Sequence, residues 1–90
     1  MGRVLEIRIR GGKNMKLIAG EELPNIKLNA LLWQIEYGTK VRVVKYENDS
    51  IVEEGDAQTV YKALRYCNFD VVGVEKHNGA IEITIKTEIS

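Results

Sequence analysis

The chain has few of the residues from which fixed chemical sites are built. Its 90 residues contain one cysteine, Cys67, one histidine, His77, and one proline, Pro24. One cysteine excludes an internal disulfide, and Cys67 with His77 is too small a set for a structural zinc site. We therefore expect no metal and no other cofactor. The scarcity of proline also argues against a disordered or linker-rich chain.

The sequence also lacks an excess of charge of either sign and lacks long apolar runs. Thirteen basic and thirteen acidic residues give a formal net charge of zero, so the overall charge does not point to nucleic acid or an anionic membrane. No apolar run approaches the ~20 residues that cross a bilayer, and the first residues soon alternate with charges, unlike a signal peptide. We expect a soluble, cytoplasmic protein with no membrane partner.

What the chain does contain is a pattern of alternating and periodic apolar residues, which begins with a strand. Hydrophobic residues make up 44% of the sequence, which with this length fits one folded domain over residues 1–90. Leu5, Ile7 and Ile9 alternate with charged residues, as in a strand with one buried face. Residues 11–14 suit a turn, and residues 15–19 can return as a second hairpin strand.

Two helices follow from spacing and capping. Pro24 suits the first turn of a helix, an apolar stripe follows at helical spacing, and Gly38 suits the helix end, so the first helix is predicted from Pro24 to Tyr37. The stripe comprises Leu28, Leu31, Leu32 and Ile35. Asp56 can cap a second helix that ends near Asn68. Its apolar face comprises Ala57, Val60, Tyr61, Leu64 and Cys67.

The remaining segments read as strands and turns. Residues 39–46 are rich in valine and predict an interior strand, whereas residues 47–50 and 53–55 predict turns. Residues 71–74 predict a strand, and Asn78-Gly79 predicts a type I′ turn to a final strand. The fold class is therefore α/β, an α+β two-layer sandwich: a βαβαββ mixed sheet with two helices on one face and an additional N-terminal hairpin strand.

Several segments together resemble a known family. They are Leu23-Pro24-Asn25-Ile26, the helix end Ile35-Glu36-Tyr37-Gly38, the strand Lys40–Val44, the helix Thr59–Leu64 and the tail Phe69–Ile83. In these segments, over roughly two-thirds of its length, the chain resembles the TusA/SirA-like sulfur-carrier family. That family has a βαβαββ fold and a Cys-Pro-x-Pro motif that opens the first helix. The resemblance implies protein partners in a sulfur-relay or redox pathway.

The motif that carries the chemistry of that family is not intact. Leu23 stands where the family has its carrier cysteine, Ile26 replaces the second proline, and residues 11–22 form an insertion. A cysteine at a helix N-terminus is activated by the helix dipole, and leucine has no group that could carry sulfur. We therefore predict a non-catalytic protein-binding module rather than an enzyme. Its predicted partner-binding residues lie at the start of the first helix: Glu22, Leu23, Pro24, Asn25 and Lys27.

Two other functions stay open. A sulfur carrier could use Cys67, but this residue falls on the apolar face near the end of the second helix, where core packing is the favoured interpretation. A nucleic-acid binder could use a basic patch on the N-terminal hairpin, formed by Arg8, Arg10, Lys13 and Lys16. Because no aromatic residues are interleaved there, a solvated face paired with Glu6, Glu82 or Glu88 is favoured.

Two further features bear on interactions. Trp33 falls outside the apolar stripe of the first helix, so it is predicted either to be partly exposed at an interface or to pack beneath residues 15–19. A homo-oligomer could form through an exposed sheet edge. The sequence names neither the partner nor the pathway.

Overall fold

The structure, a computed structural model, describes residues 4–18 and 27–87 and has six strands and two helices within them. In chain order these are β1 (Val4–Arg8), β2 (Asn14–Ile18), α1 (Leu28–Gln34), β3 (Lys40–Lys45), β4 (Ile51–Asp56), α2 (Ala57–Leu64), β5 (Asp70–His77) and β6 (Ala80–Lys86). The α+β class and the additional hairpin strand, β2, are confirmed.

Four strands form a mixed sheet in the order β4-β3-β6-β5. β3 and β6 run parallel, with Val41 opposite Ile81, while β3–β4 and β5–β6 are antiparallel. β3 is thus an interior strand, as the sequence predicts. The turn between β5 and β6 is also confirmed, because Asn78 and Gly79 have φ of 50° and 82°, which suits a two-residue hairpin loop.

The N-terminal hairpin stands apart from this sheet. β1 pairs only with β2 in a two-stranded sheet, so the predicted membership of β1 in the main sheet is wrong. The hairpin instead lies against the chain that leaves α1, where Ile9 forms a bridge with Ile35. The Arg10 N–H donates to the Gln34 carbonyl at 2.8 Å, and the Glu36 N–H donates to the Arg8 carbonyl at 3.0 Å.

One hydrophobic core joins the hairpin, the helices and one face of the main sheet. The hairpin contributes Leu5, Ile7 and Leu17, α1 contributes Leu28, Leu31 and Leu32, α2 contributes Ala57, Val60 and Leu64, and the sheet contributes Val41, Val43, Val71, Val74, Ile81, Ile83 and Ile85. Both helices therefore cover the same face of the sheet, as predicted. Among the described residues no polar or charged residue is buried.

The first helix is shorter than predicted. It ends at Gln34 rather than Tyr37, because Ile35 is extended (φ −68°, ψ 136°) and pairs with Ile9. Gly38 does adopt a positive φ of 92°, but in the turn before β3 rather than at the helix end. The predicted helix start at Pro24 lies outside the described residues.

The segment after β3 also differs from the prediction. Residues 53–55, predicted as a turn, belong to edge strand β4 and pair with β3. The cap of α2 is confirmed, since the Asp56 carboxylate accepts from the Gln58 N–H at 3.0 Å. α2 ends at Leu64, earlier than the predicted end near Asn68.

Candidate binding surface

Most of the predicted partner-binding residues lie outside the described part of the chain: Glu22, Leu23, Pro24 and Asn25. The fifth, Lys27, immediately precedes α1 and is engaged in the fold. Its Nζ forms an ion pair with the Asp70 carboxylate, and its backbone forms a bridge with the same residue. The next N–H, of Leu28, donates to the Phe69 carbonyl at 2.8 Å. Lys27 therefore connects the start of α1 to the start of β5 through an ion pair and backbone contacts.

A second group of side chains, three of them exposed and one half-buried, forms a compact surface, here called the arginine–aromatic surface: Arg10, Trp33, Tyr37 and Tyr61. The guanidinium carbon of Arg10 lies 4.0 Å from the ring centroid of Trp33 and 4.7 Å from that of Tyr37. Trp33 is also 5.4 Å from Tyr61, measured between ring centroids. These distances are those of cation–π and aromatic contacts.

The two outer rings of this surface remain accessible. Trp33 is 51% exposed and Tyr37 is 46% exposed, and these values already include the contacts with Arg10. Tyr61 is half-buried and packs against the core. Of the two alternatives predicted for Trp33, partial exposure and packing beneath residues 15–19, partial exposure is thus confirmed.

These side chains come from different parts of the chain: the hairpin, α1, the segment after α1 and α2. The core-facing stripe of α1 includes Leu31 and Leu32, and the next residue, Trp33, points away from it. The backbone bonds between the hairpin and the segment after α1 bring Arg10 to the same place. An ion pair between Arg8 and Glu36, with 3.3 Å between Nε and Oε2, lies beside these bonds.

Local sequence patterns indicate Arg10 and Trp33 separately but do not indicate Tyr37 and Tyr61 as members of a surface. Tyr37 is predicted at the end of the first helix and Tyr61 on the core face of the second. A usable signal was the four-residue spacing of two aromatic residues, Trp33 and Tyr37, outside the apolar stripe. The contact with Arg10 depends on a pairing distant in sequence, which local spacing does not encode.

The hairpin side of this surface is basic. Residues 4–18 contain four basic residues, the predicted basic patch, and one acidic residue, Glu6. Arg8 forms an ion pair with Glu36 and not with the predicted partners Glu6 or Glu82. The third predicted partner, Glu88, lies outside the described residues. Lys13 and Lys16 are exposed. Within residues 4–18 and 27–87, no ion pair is formed by Arg10, Lys13 or Lys16.

The sheet face opposite the core offers a contrast. There Arg42 lies between two carboxylates, with its Nε 2.5 Å from Glu54 and its Nη1 3.9 Å from Glu82. Beside it His77 and Asn78 help to line a shallow hollow of about 250 Å³. Arg42 is therefore neutralised by its neighbours, whereas the guanidinium of Arg10 contacts two aromatic rings and, within the described residues, forms no ion pair.

Cys67 lies just after the C-terminal end of α2. It is half-buried, packs against the hydrophobic core, and its N–H donates to the Leu64 carbonyl at 2.9 Å. The prediction that Cys67 packs against the core is confirmed. Across the described ranges no three His, Cys, Asp or Glu residues are grouped so that they could hold a metal ion.

Comparison with protein families, with curated proteins and with solved structures finds no match for the chain. The TusA/SirA-like resemblance therefore stays a prediction. No helix in the described part of the chain is long and apolar enough to span a membrane.

Proposed function

We propose that this chain is a non-catalytic binding module and that its partner contacts the arginine–aromatic surface. One observation carries the proposal: two half-exposed aromatic rings, Trp33 and Tyr37, flank the guanidinium of Arg10. Tryptophan, tyrosine and arginine are the residue types that contribute most to binding energy at protein interfaces. Single exposed apolar residues are common, but a cluster of these three types marks a contact surface.

The surface is also held in place before a partner arrives. Trp33 sits on a helix and contacts Tyr61 of the other helix, and Arg10 is fixed by its backbone bond to Gln34. A group that is already ordered loses little conformational entropy when it binds. Preorganisation of this kind favours a binding role for the cluster.

The proposal agrees with the sequence-based expectation of a binding module. Two finer expectations rest on the sequence and stay predictions: that the partner is a protein of a sulfur-relay or redox pathway, and that the location is cytoplasmic. A homo-oligomer would need a free sheet edge, and β4 and β5 are the two edge strands of the main sheet. A carrier role for Cys67 is the less favoured alternative, because this residue packs against the core.

The test is retention of partners from cell lysate by immobilised protein in three forms: unaltered, Trp33→Ala and Tyr46→Ala. Tyr46 is the matched control, because it is 64% exposed and lies just after β3, whereas Tyr37 lies before the start of that strand. We expect a macromolecule that is retained by the unaltered protein and by Tyr46→Ala but lost with Trp33→Ala. Equal retention by all three forms would refute the proposal.

The same samples address the carrier alternative. Mass spectrometry of the recovered protein reports whether Cys67 has gained a sulfur atom. We expect an unmodified thiol, and a persulfide on Cys67 would instead support the carrier function.

A further inference from the structure

We infer that the arginine–aromatic surface binds single-stranded nucleic acid. This inference rests on the proposed function, because it names the partner of the same surface. It joins two features that the sequence analysis kept apart, the basic hairpin and the exposed aromatic residues.

The first step concerns charge. The chain as a whole is neutral, yet the hairpin carries four cations and one carboxylate, a local net charge of +3 by that count. Glu36 engages Arg8 at 3.3 Å, but Lys13 and Lys16 are exposed and form no ion pair within the described residues. Lys16 does lie opposite Glu6 in the β1–β2 pairing. Arg10 and Lys13 form no ion pair within the described residues and lie opposite no carboxylate in that pairing. An excess of cations along one element is the electrostatic footprint of a phosphate-backbone contact.

The second step concerns stacking. Sequence-tolerant binding of single strands combines a basic surface with aromatic faces on which bases stack. Trp33 and Tyr37 each keep about half of their surface free, at 51% and 46%, and Arg10 lies between them. An arginine guanidinium also stacks on bases. The interleaved aromatic residues that the sequence lacks near the basic patch are thus supplied by the fold.

The third step separates single strands from the other partner classes. A base can reach an exposed ring face only when it is unpaired, so stacking requires a single strand. A duplex groove reader presents a helix or a two-stranded ribbon to base edges, whereas here the exposed groups are the aromatic side chains of Trp33 and Tyr37. A protein partner would suit the rings, but the excess of positive charge on the hairpin favours a ligand with a regularly repeated negative charge.

The experiment is a titration of the full chain with a single-stranded oligothymidylate of about 12 nucleotides, within the usual site size of single-strand binders. Trp33 is the only tryptophan, so intrinsic fluorescence reports on the surface directly. We expect quenching of this fluorescence on binding. Anisotropy of the labelled oligonucleotide measures affinity for variants that lack the tryptophan.

The variants separate stacking from charge. Trp33→Ala should weaken binding about 5- to 150-fold, the loss expected for one stacked base, while Trp33→Phe, which keeps a ring, should lose less. Arg10→Ala should reduce the slope of log affinity against log salt by about 0.7 if it meets one phosphate. Tyr46→Ala is the control for the loss of an exposed aromatic residue, and Lys76→Ala on β5 is the control for the loss of an exposed cation. Circular dichroism checks that each variant is folded.

Three results would overturn the inference. The first is that no binding is seen at about 0.1 mM protein in low salt, where even non-specific binders associate. The second is that Trp33→Ala and Tyr46→Ala lose the same affinity. The third is that the protein binds duplex as tightly as single strands. If the lysate experiment instead retains a protein in a Trp33-dependent way even after nuclease treatment, the inference fails and the proposed function stands. If nothing is retained in a Trp33-dependent way, both fail.

Discussion

Replacement of Ile7 by alanine tests whether the N-terminal hairpin is part of the same cooperative core as the main sheet. In the described structure the hairpin has no ladder with the four-stranded sheet. It is held by the Ile9–Ile35 bridge, by adjacent backbone bonds, and by three buried side chains, of which Ile7 is 1% exposed. If the core is continuous, removing this side chain must destabilise the whole domain.

The expected size follows from burial. Truncation of a buried isoleucine to alanine costs about 2–5 kcal/mol, and about 3 kcal/mol is reasonable because Ile7 belongs to a strand at the margin of the core. A domain of this length has a free energy of unfolding of about 5–13 kcal/mol. With a urea slope of about 1 kcal/mol/M, the midpoint of unfolding should fall by about 3 M.

The assay is urea unfolding followed by two probes. Trp33 fluorescence reports on the junction of the hairpin and α1, and far-ultraviolet circular dichroism reports on the helices. We expect both probes to shift together for Ile7→Ala. The control is Val4→Ala on the same strand, because Val4 is 65% exposed and should change stability by less than about 0.5 kcal/mol. A loss below about 1 kcal/mol for Ile7→Ala, or a shift in fluorescence alone, would refute a continuous core.

Three smaller predictions concern local features and are measured by the same unfolding assay. Asp56→Ala should cost about 1 kcal/mol by removing the cap of α2, and Asp56→Asn should restore most of it; an equal loss for both would contradict the capping role. Gly79→Ala should cost about 1 kcal/mol, because Gly79 has φ of 82°; no loss would contradict the left-handed turn. Cys67→Ser should lower stability by about 1–3 kcal/mol, since a hydroxyl replaces a half-buried thiol, and should leave partner binding intact. Loss of binding by folded Cys67→Ser would contradict a packing role.

Much of the fold follows from local sequence signals. The buried stripe of α1, the cap at Asp56 and the turn at Asn78-Gly79 depend on residues close together in the chain, and the structure confirms all three. Such features are determined by side-chain periodicity and by backbone preferences. They are visible before any tertiary contact is known.

The parts that sequence reasoning missed depend on distant pairing. Ile35 continues the apolar stripe of a helix, yet it is extended because Ile9 pairs with it. Residues 53–55 have the composition of a turn, yet they form a strand because β3 provides a ladder and Arg42 pairs with Glu54 at 2.5 Å. Tertiary context overrides local propensity in both cases.

The candidate site shows the same division. The exposure of Trp33 was one of two predictions, and the basic character of the hairpin was predicted as well. What the sequence could not provide is the position of Arg10 between Trp33 and Tyr37, since it requires the hairpin to lie against the segment after α1. In the sequence, the lack of aromatic residues near the basic patch disfavours nucleic acid, but in the fold Trp33 and Tyr37 contact Arg10.

The most direct test of the central claim is a two-dimensional ¹H–¹⁵N correlation spectrum recorded with and without the single-stranded oligonucleotide. The single indole N–H of Trp33 gives one resolved cross-peak that belongs to the proposed surface. The account predicts that this peak and the amides of Arg10 and Tyr37 shift together, while those of Tyr46 and Ile51, at the far end of β3, do not. An unchanged indole peak at saturating oligonucleotide, or shifts confined to the far end, would contradict it.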